Sequence, residues 1–468
     1  MKALIRIPFA LIIVICCVFL SCNKQDDLSN NDIGTLQPKS GEIFTVSPSG
    51  NYEDDSYNIQ TALNNAVASG PGCTVQLTAG IFYLKYKIEI DGFDGFFKGA
   101  GKQITIMTTH DQIDYYADPY GDNFCLITFR HGYVRMSDLT FNITEPEPCI
   151  TEFENALPTI IMVSGSRSET PPEGDQCGSS IFNNIEFICN AGNFFGYNVA
   201  GFLYIGADRT EFIIGGNQKI TKCLFQGSVN SLTNWGDNDA TWLIGGNGAN
   251  GNIFSNAYWP LTLGECNNSS FEVSFNNFED FKWGGVFITQ GYFTDASSKT
   301  VSTFLIQQNQ ISTEEECDGI SILDYTNYSG FGKSIDAIIK SNQISMNAEG
   351  YWGGIYGVAA DDIIIKNNNI WGNGMSAIYG GIWGDETTNW FMQGNNVQNV
   401  DALAAPIWLG EATSYCTVIG GSNKTNVFDQ GTNNILTGVT KIQGNDLGQE
   451  SQEAHELMQE LMQQFKNH

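Results

Sequence analysis

One short pattern of apolar and polar positions recurs along the chain: an apolar residue, two free positions, an asparagine, one free position and a second apolar residue. It reads Val273/Asn276/Phe278, Ile306/Asn309/Ile311, Ile339/Asn342/Ile344, Ile365/Asn368/Ile370, Met392/Asn395/Val397 and Ile442/Asn445/Leu447. The first five asparagines are 309−276 = 33, 342−309 = 33, 368−342 = 26 and 395−368 = 27 residues apart. Self-similarity at a period of roughly 20–50 residues signals stacked repeats. Asparagine tolerates the left-handed backbone region and bonds to its own turn, so it suits a sharp corner between two short strands. The flanking apolar residues then point inward and are buried by stacking, and asparagines in register can bond up the stack. A second pattern keeps step: after each corner a strand opens on small residues, as in Gly285-Val286, Gly319-Ile320, Gly354-Ile355, Gly381-Ile382 and Ala405-Pro406-Ile407. These spacings predict an all-β chain wound as a parallel β-helix, a solenoid of about ten coils and roughly 50 Å at ~4.8 Å per coil.

The two ends read differently. Asp55 is placed to N-cap a helix whose apolar positions Ile59, Ala62, Leu63, Ala66 and Val67 share one face, ended by Gly70-Pro71-Gly72. Lying across the first coil, that helix would cover exposed strand edges and core. From 449 to 468, Ala454, Leu457, Met458, Leu461, Met462 and Phe465 form a helical stripe. This C-terminal helix caps the other end or pairs with another copy; capping is favoured, and with it a monomer. Residues 41–448 are thus assigned to the solenoid. Between them, Val134 to Leu139 and Ser180 to Ile185 look like degraded corners, and three Ile-Gly-Gly turns recur at Ile214, Ile244 and Ile419. The run Ile59-Gln-Thr-Ala-Leu63, Gly70-Pro-Gly72, Leu77-Thr-Ala-Gly-Ile-Phe-Tyr83 and Gly99-Ala-Gly101 resembles the N-terminal segment of the pectin-lyase-like superfamily. That resemblance implies a right-handed β-helix. It implies no single activity, because lyases, hydrolases, epimerases, tailspikes and non-enzymes share this architecture.

The first 22 residues place Lys2 and Arg6 before an apolar run from Phe9 to Leu20, too short to span a bilayer comfortably, which reads as a signal peptide. Leu20-Ser-Cys22 resembles a bacterial lipobox, which implies lipid modification at Cys22, membrane attachment through it and a tether over 23–40. Export to the outer membrane or cell surface is the corresponding expectation. The net charge of −29 becomes −31 once Lys2 and Arg6 leave with the signal. Such a surface repels nucleic acids and anionic membranes, and disfavours polyanionic substrates unless calcium bridges the two. Of twelve cysteines, three fall in the signal and anchor. The remaining nine cannot all pair, and without a CxxC spacing a zinc site is not expected. Cys223 stands in an asparagine slot and reads as a small buried residue.

Candidate chemistry follows from strand alternation. Carrying the register across coils places Phe287, Ser321, Tyr356, Trp383 and Trp408 in one outward column, with Tyr204 and Trp242 as its continuation. Aromatic faces repeated on a solvated surface suit the C–H face of a sugar, so these are candidate carbohydrate-binding residues. Acids at the strand ends, Glu265, Asp324, Asp385, Glu386 and Glu411, are candidate catalytic groups; Pro260 to Glu265 and Pro406 to Glu411 match at most positions. Aromatics packed beneath loops and acids merely solvating a rim are the plain alternative. The leading functional reading is a cell-envelope lipoprotein that binds a polysaccharide without turnover. A glycoside hydrolase using a carboxylate pair comes second, and a calcium-dependent polysaccharide lyase third, for want of an evident base. The polygalacturonase pattern of the superfamily does not transfer: Asp361-Asp362 precedes a buried strand, and no Arg-x-Lys occurs.

Overall fold

A computed structural model of the protein describes residues 41–109, 125–143, 159–164, 179–189, 201–206, 214–291, 300–313, 315, 317–346, 353–372, 381–398, 406–420 and 426–442. The signal peptide, Cys22, the tether, the Asn445 corner and the C-terminal helix lie outside the described residues.

The described chain is a parallel β-helix with three stacked sheets. The first sheet carries the leading apolar anchor of each repeat: Val273, Ile306, Ile339, Ile365 and Met392 pair rung to rung and are buried. The same column continues upward through Ile244, Ile220, Phe182 and Met136. The second sheet, entered after the asparagine corner, stacks Phe278, Ile311, Ile344, Ile370 and Val397. Above them Phe141, Phe187, Phe225, Phe254 and Phe278 form a ring stack with centroids 5.2, 5.0, 4.8 and 4.7 Å apart. Coil spacing is set by backbone hydrogen bonds at ~4.8 Å, so rings in one column meet face to face. The third sheet buries Ile88, Ile127, Ile161, Leu203, Leu232, Leu261, Val286, Ile320, Ile355, Ile382, Ile407 and Val427 in one inner column, ending at Lys441. These thirteen rungs exceed the expected ten; the extra coils lie in the N-terminal half, where long insertions hide the period.

The corner between the first two sheets holds an asparagine ladder. Asn252, Asn276, Asn309, Asn342 and Asn368 each donate their backbone N–H and Nδ2 to Oδ1 of the next asparagine, ending at Asn395, at 2.9–3.1 Å. Each Nδ2 also reaches a carbonyl of the preceding coil, such as Ile306 O from Asn342 at 3.0 Å. Cys223 heads the column, donating its N–H to Asn252 Oδ1 at 2.9 Å, and burial pushes its thiol up to about 12. The left-handed residue of the corner is not the asparagine but the residue before it: Lys222, Phe275, Gln308, Ser341 and Asn367 have φ of 56, 57, 55, 58 and 53°. That residue turns the chain, so the asparagine that follows points inward, where its amide satisfies buried backbone groups. Asn252 escapes the sequence pattern because the turn Gly248–Asn250 separates it from its anchor Ile244.

The small residues opening the third sheet have a steric cause. A Cβ on Gly354 would stand 2.6 Å from Ile370 Cγ2, and one on Gly285 2.7 Å from the Gly319 carbonyl. The degraded corners at Asp138 and Asn184 are genuine and in register, with φ of 61 and 58°. The Ile-Gly-Gly turns share no slot: Ile244 pairs with Val273, Ile214 with Asp237, and Ile419 with Gln393.

The N-terminal helix spans Tyr52–Ser69 and buries Ile59, Leu63 and Ala66 in the solenoid core. Asp55 is not its N-cap. It lies within the first turns, fully buried, accepting from Ser49 N–H and Oγ at 2.7 Å and from Tyr83 N–H at 2.9 Å. The helix starts earlier than its apolar stripe, which turns Asp55 inward to tie the cap to the strand Gly80–Leu84. The seven described cysteines are buried thiols without disulfide bonds.

Candidate functional site

Alternation in the third sheet sends every second side chain to its outer face. The expected column exists there: Tyr204, Thr233, Thr262, Phe287, Ser321, Tyr356, Trp383 and Trp408 pair in unbroken register. Its aromatics are not a solvated stripe, however. Tyr356, Trp383, Trp408 and Phe428 are 4, 1, 1 and 5 % exposed and form a second apolar cluster with Val358 and Ala359, apart from the main core. Trp408 also donates Nε1–H to Gln430 Oε1 at 2.8 Å. Large rings on neighbouring rungs meet each other, and sharing surface removes them from water. Phe287 and Tyr204 are half-buried. Trp242 does not continue the column: it faces the interior of the first sheet, 1 % exposed, stacked on Phe271 at 5.6 Å. One residue of register decides which face a side chain takes, and the sequence around Trp242 offered no corner from which to count.

The rim acids share a structural slot, in which only Asp385/Glu386 and Glu411 fall on adjacent rungs, Gly384 pairing with Leu409. Glu265 follows Gly264, which pairs with Thr289; Asp324 pairs with Gln290, the residue after Thr289; Glu386 follows Asp385, which pairs with Val358. Neutral rungs therefore separate Glu265 from Asp324 and Asp324 from Glu386, at two coils or roughly 9.6 Å each. Glu265 is buried at a left-handed corner, φ 56°, and Glu411 is exposed. Asp324 is a structural carboxylate: Oδ1 accepts from Asn327 N–H and Ser334 Oγ at 3.1 and 2.8 Å, and Oδ2 from Ser334 and Ile335 N–H at 2.7 and 3.1 Å. Four donors on one carboxylate leave it no lone pair for a substrate proton. Asp361 and Asp362 are likewise occupied, by Thr388 N–H at 2.7 Å and Lys333 Nζ at 2.6 Å.

Two polar groupings on the outer face were not anticipated. The first lies toward the C-terminal coils. Asp318, 7 % exposed, accepts from Ser321 Oγ at 2.8 Å and Gly353 N–H at 3.2 Å, and burial pushes its carboxyl up to about 7. Burial, then the charges of Asp318, Asp385, Tyr325 and Glu386, raise the Tyr356 hydroxyl well above its usual range. Burial and Asp385 also raise Glu386.

The second grouping lies in the early coils and contains bases. The strand Ile88–Asp91 turns Glu89 and Asp91 outward, and its partner Cys125–Arg130 does the same with Thr128 and Arg130. Arg130 Nε donates to Glu89 Oε1 at 2.7 Å, and Lys87 Nζ stands 3.3 Å from Glu89 Oε2. His131 Nδ1 lies 2.6 Å from Asp91 Oδ1, with the imidazole 28 % exposed. Burial would raise Glu89, but Arg130 and Lys87 outweigh it and hold the carboxylate low; burial lowers Lys87. An imidazole oriented by a carboxylate, beside a fixed cation, is equipped to move a proton next to negative charge. Arg130 is therefore on the same face as the predicted column. Forty-one residues separate Arg130 from Glu89, outside the regular period, which hid the pairing. The readable signal was the alternation Ile88-Glu89-Ile90-Asp91 against Ile127-Thr128-Phe129-Arg130. Arg135 belongs elsewhere, over the Tyr133 ring at 3.8 Å and paired with Asp94 at 3.1 Å. Among the described residues no group of three or more His, Cys, Asp or Glu side chains is placed to hold a metal ion.

No protein-family model matches the chain, and no curated protein matches it in sequence. Solved structures do. The A-module of mannuronan C-5 epimerase AlgE4 from Azotobacter vinelandii is 15% identical, with a TM-score of 0.52 over 82% of this chain and 92% of that one. A DFA-IIIase from Arthrobacter chlorophenolicus A6 is 9% identical, with a TM-score of 0.49 over 86% of this chain and 98% of that one. The Streptococcus pneumoniae surface protein and adhesin PfbA is 11% identical, with a TM-score of 0.45 over 85% of this chain and 99% of that one. Identities this low speak to fold alone. The protein is a right-handed parallel β-helix, the fold it shares with the AlgE4 A-module.

Proposed function

We propose that the protein acts on an acidic polysaccharide at the outer face of its third sheet, with His131 as the proton-transfer group. The observation that carries this reading is the His131–Asp91 contact at 2.6 Å beside the Arg130–Glu89 pair at 2.7 Å. Asp91 engages Nδ1 of the imidazole while Nε2 is buried, so a rotation of the His131 side chain accompanies uptake of a proton from a bound sugar. The proton most easily removed from a uronic acid residue lies on the carbon bearing the carboxylate, and charge then builds on that carboxylate. Arg130 and Lys87 bring cations to that point. The overall charge of −29 argues against polyanions at long range, but ions screen it beyond ~8 Å, and the local grouping is not acidic on balance. The two-carboxylate hydrolase is the weaker reading, because Asp324 is occupied by four donors and Glu265 is buried, which leaves only the acids of two neighbouring rungs, Asp385 and Glu386 beside Glu411. Attachment to the cell envelope through a lipidated Cys22 belongs to the same proposal, since a surface glycan is the substrate such an anchor would present.

The test is incubation of the full chain with polygalacturonate and with alginate in deuterated water. Nuclear magnetic resonance reads deuterium at the carbon next to the carboxylate, and ultraviolet absorbance reads any new conjugated double bond. Wild-type protein should give one or both signals, and His131→Ala should lower the rate by about 10²–10⁴-fold. New reducing ends without unsaturation or exchange would point to hydrolysis instead. Activity undiminished in His131→Ala overturns the assignment.

A further inference from the structure

Apart from the early polar grouping, the described surface carries one built aromatic corner. Tyr258 and Trp259 lie on the strand Ile253–Gly264, and Trp283 directly precedes the strand Gly284–Gln290 of the following coil. The Tyr258 and Trp283 rings are nearly parallel, 19° apart with centroids at 5.7 Å. Trp259 stands against both, at 75° and 4.6 Å from Tyr258 and at 62° and 6.0 Å from Trp283. Backbone bonds from Trp283 N–H to Tyr258 O at 3.1 Å and from Lys282 N–H to Ala257 O at 3.0 Å lock the two coils together beneath the rings. Trp283 is 54% exposed, the most exposed tryptophan among the described residues.

We infer that this corner is a second glycan-holding site, which seats one pyranose ring of a polysaccharide chain on the exposed face of Trp283. Tyr258 backs the Trp283 ring and Trp259 stands edge-on beside it, a shape that offers one flat face and a wall to the C–H face and one edge of a sugar ring. The size of the patch argues against a protein partner. Asp280 and Lys282 beside Trp283 are exposed and polar, so the open apolar surface is about one ring wide. A stable protein interface needs roughly 800 Å² per partner. Polar neighbours around a ring face are instead what sugar hydroxyls require. Position supports the same occupant. Trp283 leads directly into the strand Gly284–Gln290 of the third sheet, where Phe287 is half-buried on the outer face. Along that sheet the column from Thr128 to Phe287 takes five steps, through Met162, Tyr204, Thr233 and Thr262, or roughly 24 Å. A chain laid along the solenoid axis can therefore touch both Trp283 and the early grouping. The inference extends the proposed function to a distal subsite, but it stands on different residues.

Affinity electrophoresis through gels cast with polygalacturonate, alginate, xylan or β-glucan tests it, using the full chain. Wild-type protein should be retarded in at least one gel. Trp283→Ala should weaken that retardation roughly tenfold, the scale of one ring contact, and Trp283→Phe should keep part of it. Trp371→Ala, at an exposed tryptophan outside both sites, should be retarded like wild type, and deuterium exchange measured on the same wild-type sample separates failure of this site from failure of the proton-transfer assignment. Retardation in no gel, or equal retardation of Trp283→Ala, overturns the inference. So does a change of oligomeric state in Trp283→Ala by analytical ultracentrifugation, since the corner would then be covered by a second copy.

Discussion

Replacing Asp318 by asparagine should stabilise the protein by an amount that grows from about pH 4 to about pH 7. Asp318 is buried on the outer face, accepting one bond from Ser321 Oγ and one from Gly353 N–H. Asparagine keeps the shape: its oxygen accepts from Gly353, and its Nδ2 donates to a Ser321 hydroxyl turned round as acceptor. What changes is the charge. Burial moves the carboxyl from an ordinary 3.8 to about 7, so the folded chain holds a proton that the unfolded chain releases near pH 4. Between those values the folded state binds more protons, and stability falls as pH rises from about 4 to about 7, then levels off. The gap 7 − 3.8 = 3.2, at about 1.4 kcal/mol per tenfold in proton affinity, sets a ceiling of about 4 kcal/mol. Relaxation and water entry bring the expected gain to about 2–4 kcal/mol at pH 8, with variant and wild type nearly equal at pH 4. The assay is denaturant unfolding of both proteins at half-unit steps from pH 4 to 8.5. Subtracting the curves cancels every titration they share. A difference that does not grow across that window refutes a buried, proton-holding Asp318.

Two further substitutions test the frame of the solenoid. Asn342→Ala removes the acceptor for Asn309 N–H and Nδ2, both at 3.0 Å, and the donor to Ile306 O and Asn368 Oδ1. Stranding buried groups at about 1–3 kcal/mol each should cost about 3–6 kcal/mol in denaturant unfolding, while Gln310→Ala, at an exposed strand position, should cost under ~0.5. Trp408→Ala should cost about 3–5 kcal/mol, because it empties the cluster of Trp383 and Phe428 and strands Gln430. It should leave retardation in polysaccharide gels unchanged; weakened binding in a folded Trp408→Ala would return the aromatic column to the candidate site.

The repeat itself was legible in the residue order. Apolar anchors, asparagines and small residues recur at matched intervals because each coil must bury the same face against its neighbours, and only glycine fits where Ile370 and Val397 crowd the strand openings. That logic also located the outward column, since alternation in a strand is local. Three things needed the fold. Whether an outward ring meets water or other rings depends on residues 20 or more positions away, as for Trp408 with Phe428, Trp383 and Tyr356, and no local pattern records it. The facing of Trp242 turned on a register that no corner marked. The grouping of Glu89, Asp91, Arg130 and His131 spans a longer interval than the regular coils, so its members look unrelated in sequence and become neighbours only when the strands stack. Local periodicity thus determined the rungs and their corners; the distance between rungs, enforced by hydrogen bonds between chain segments far apart in sequence, decided which side chains share a site.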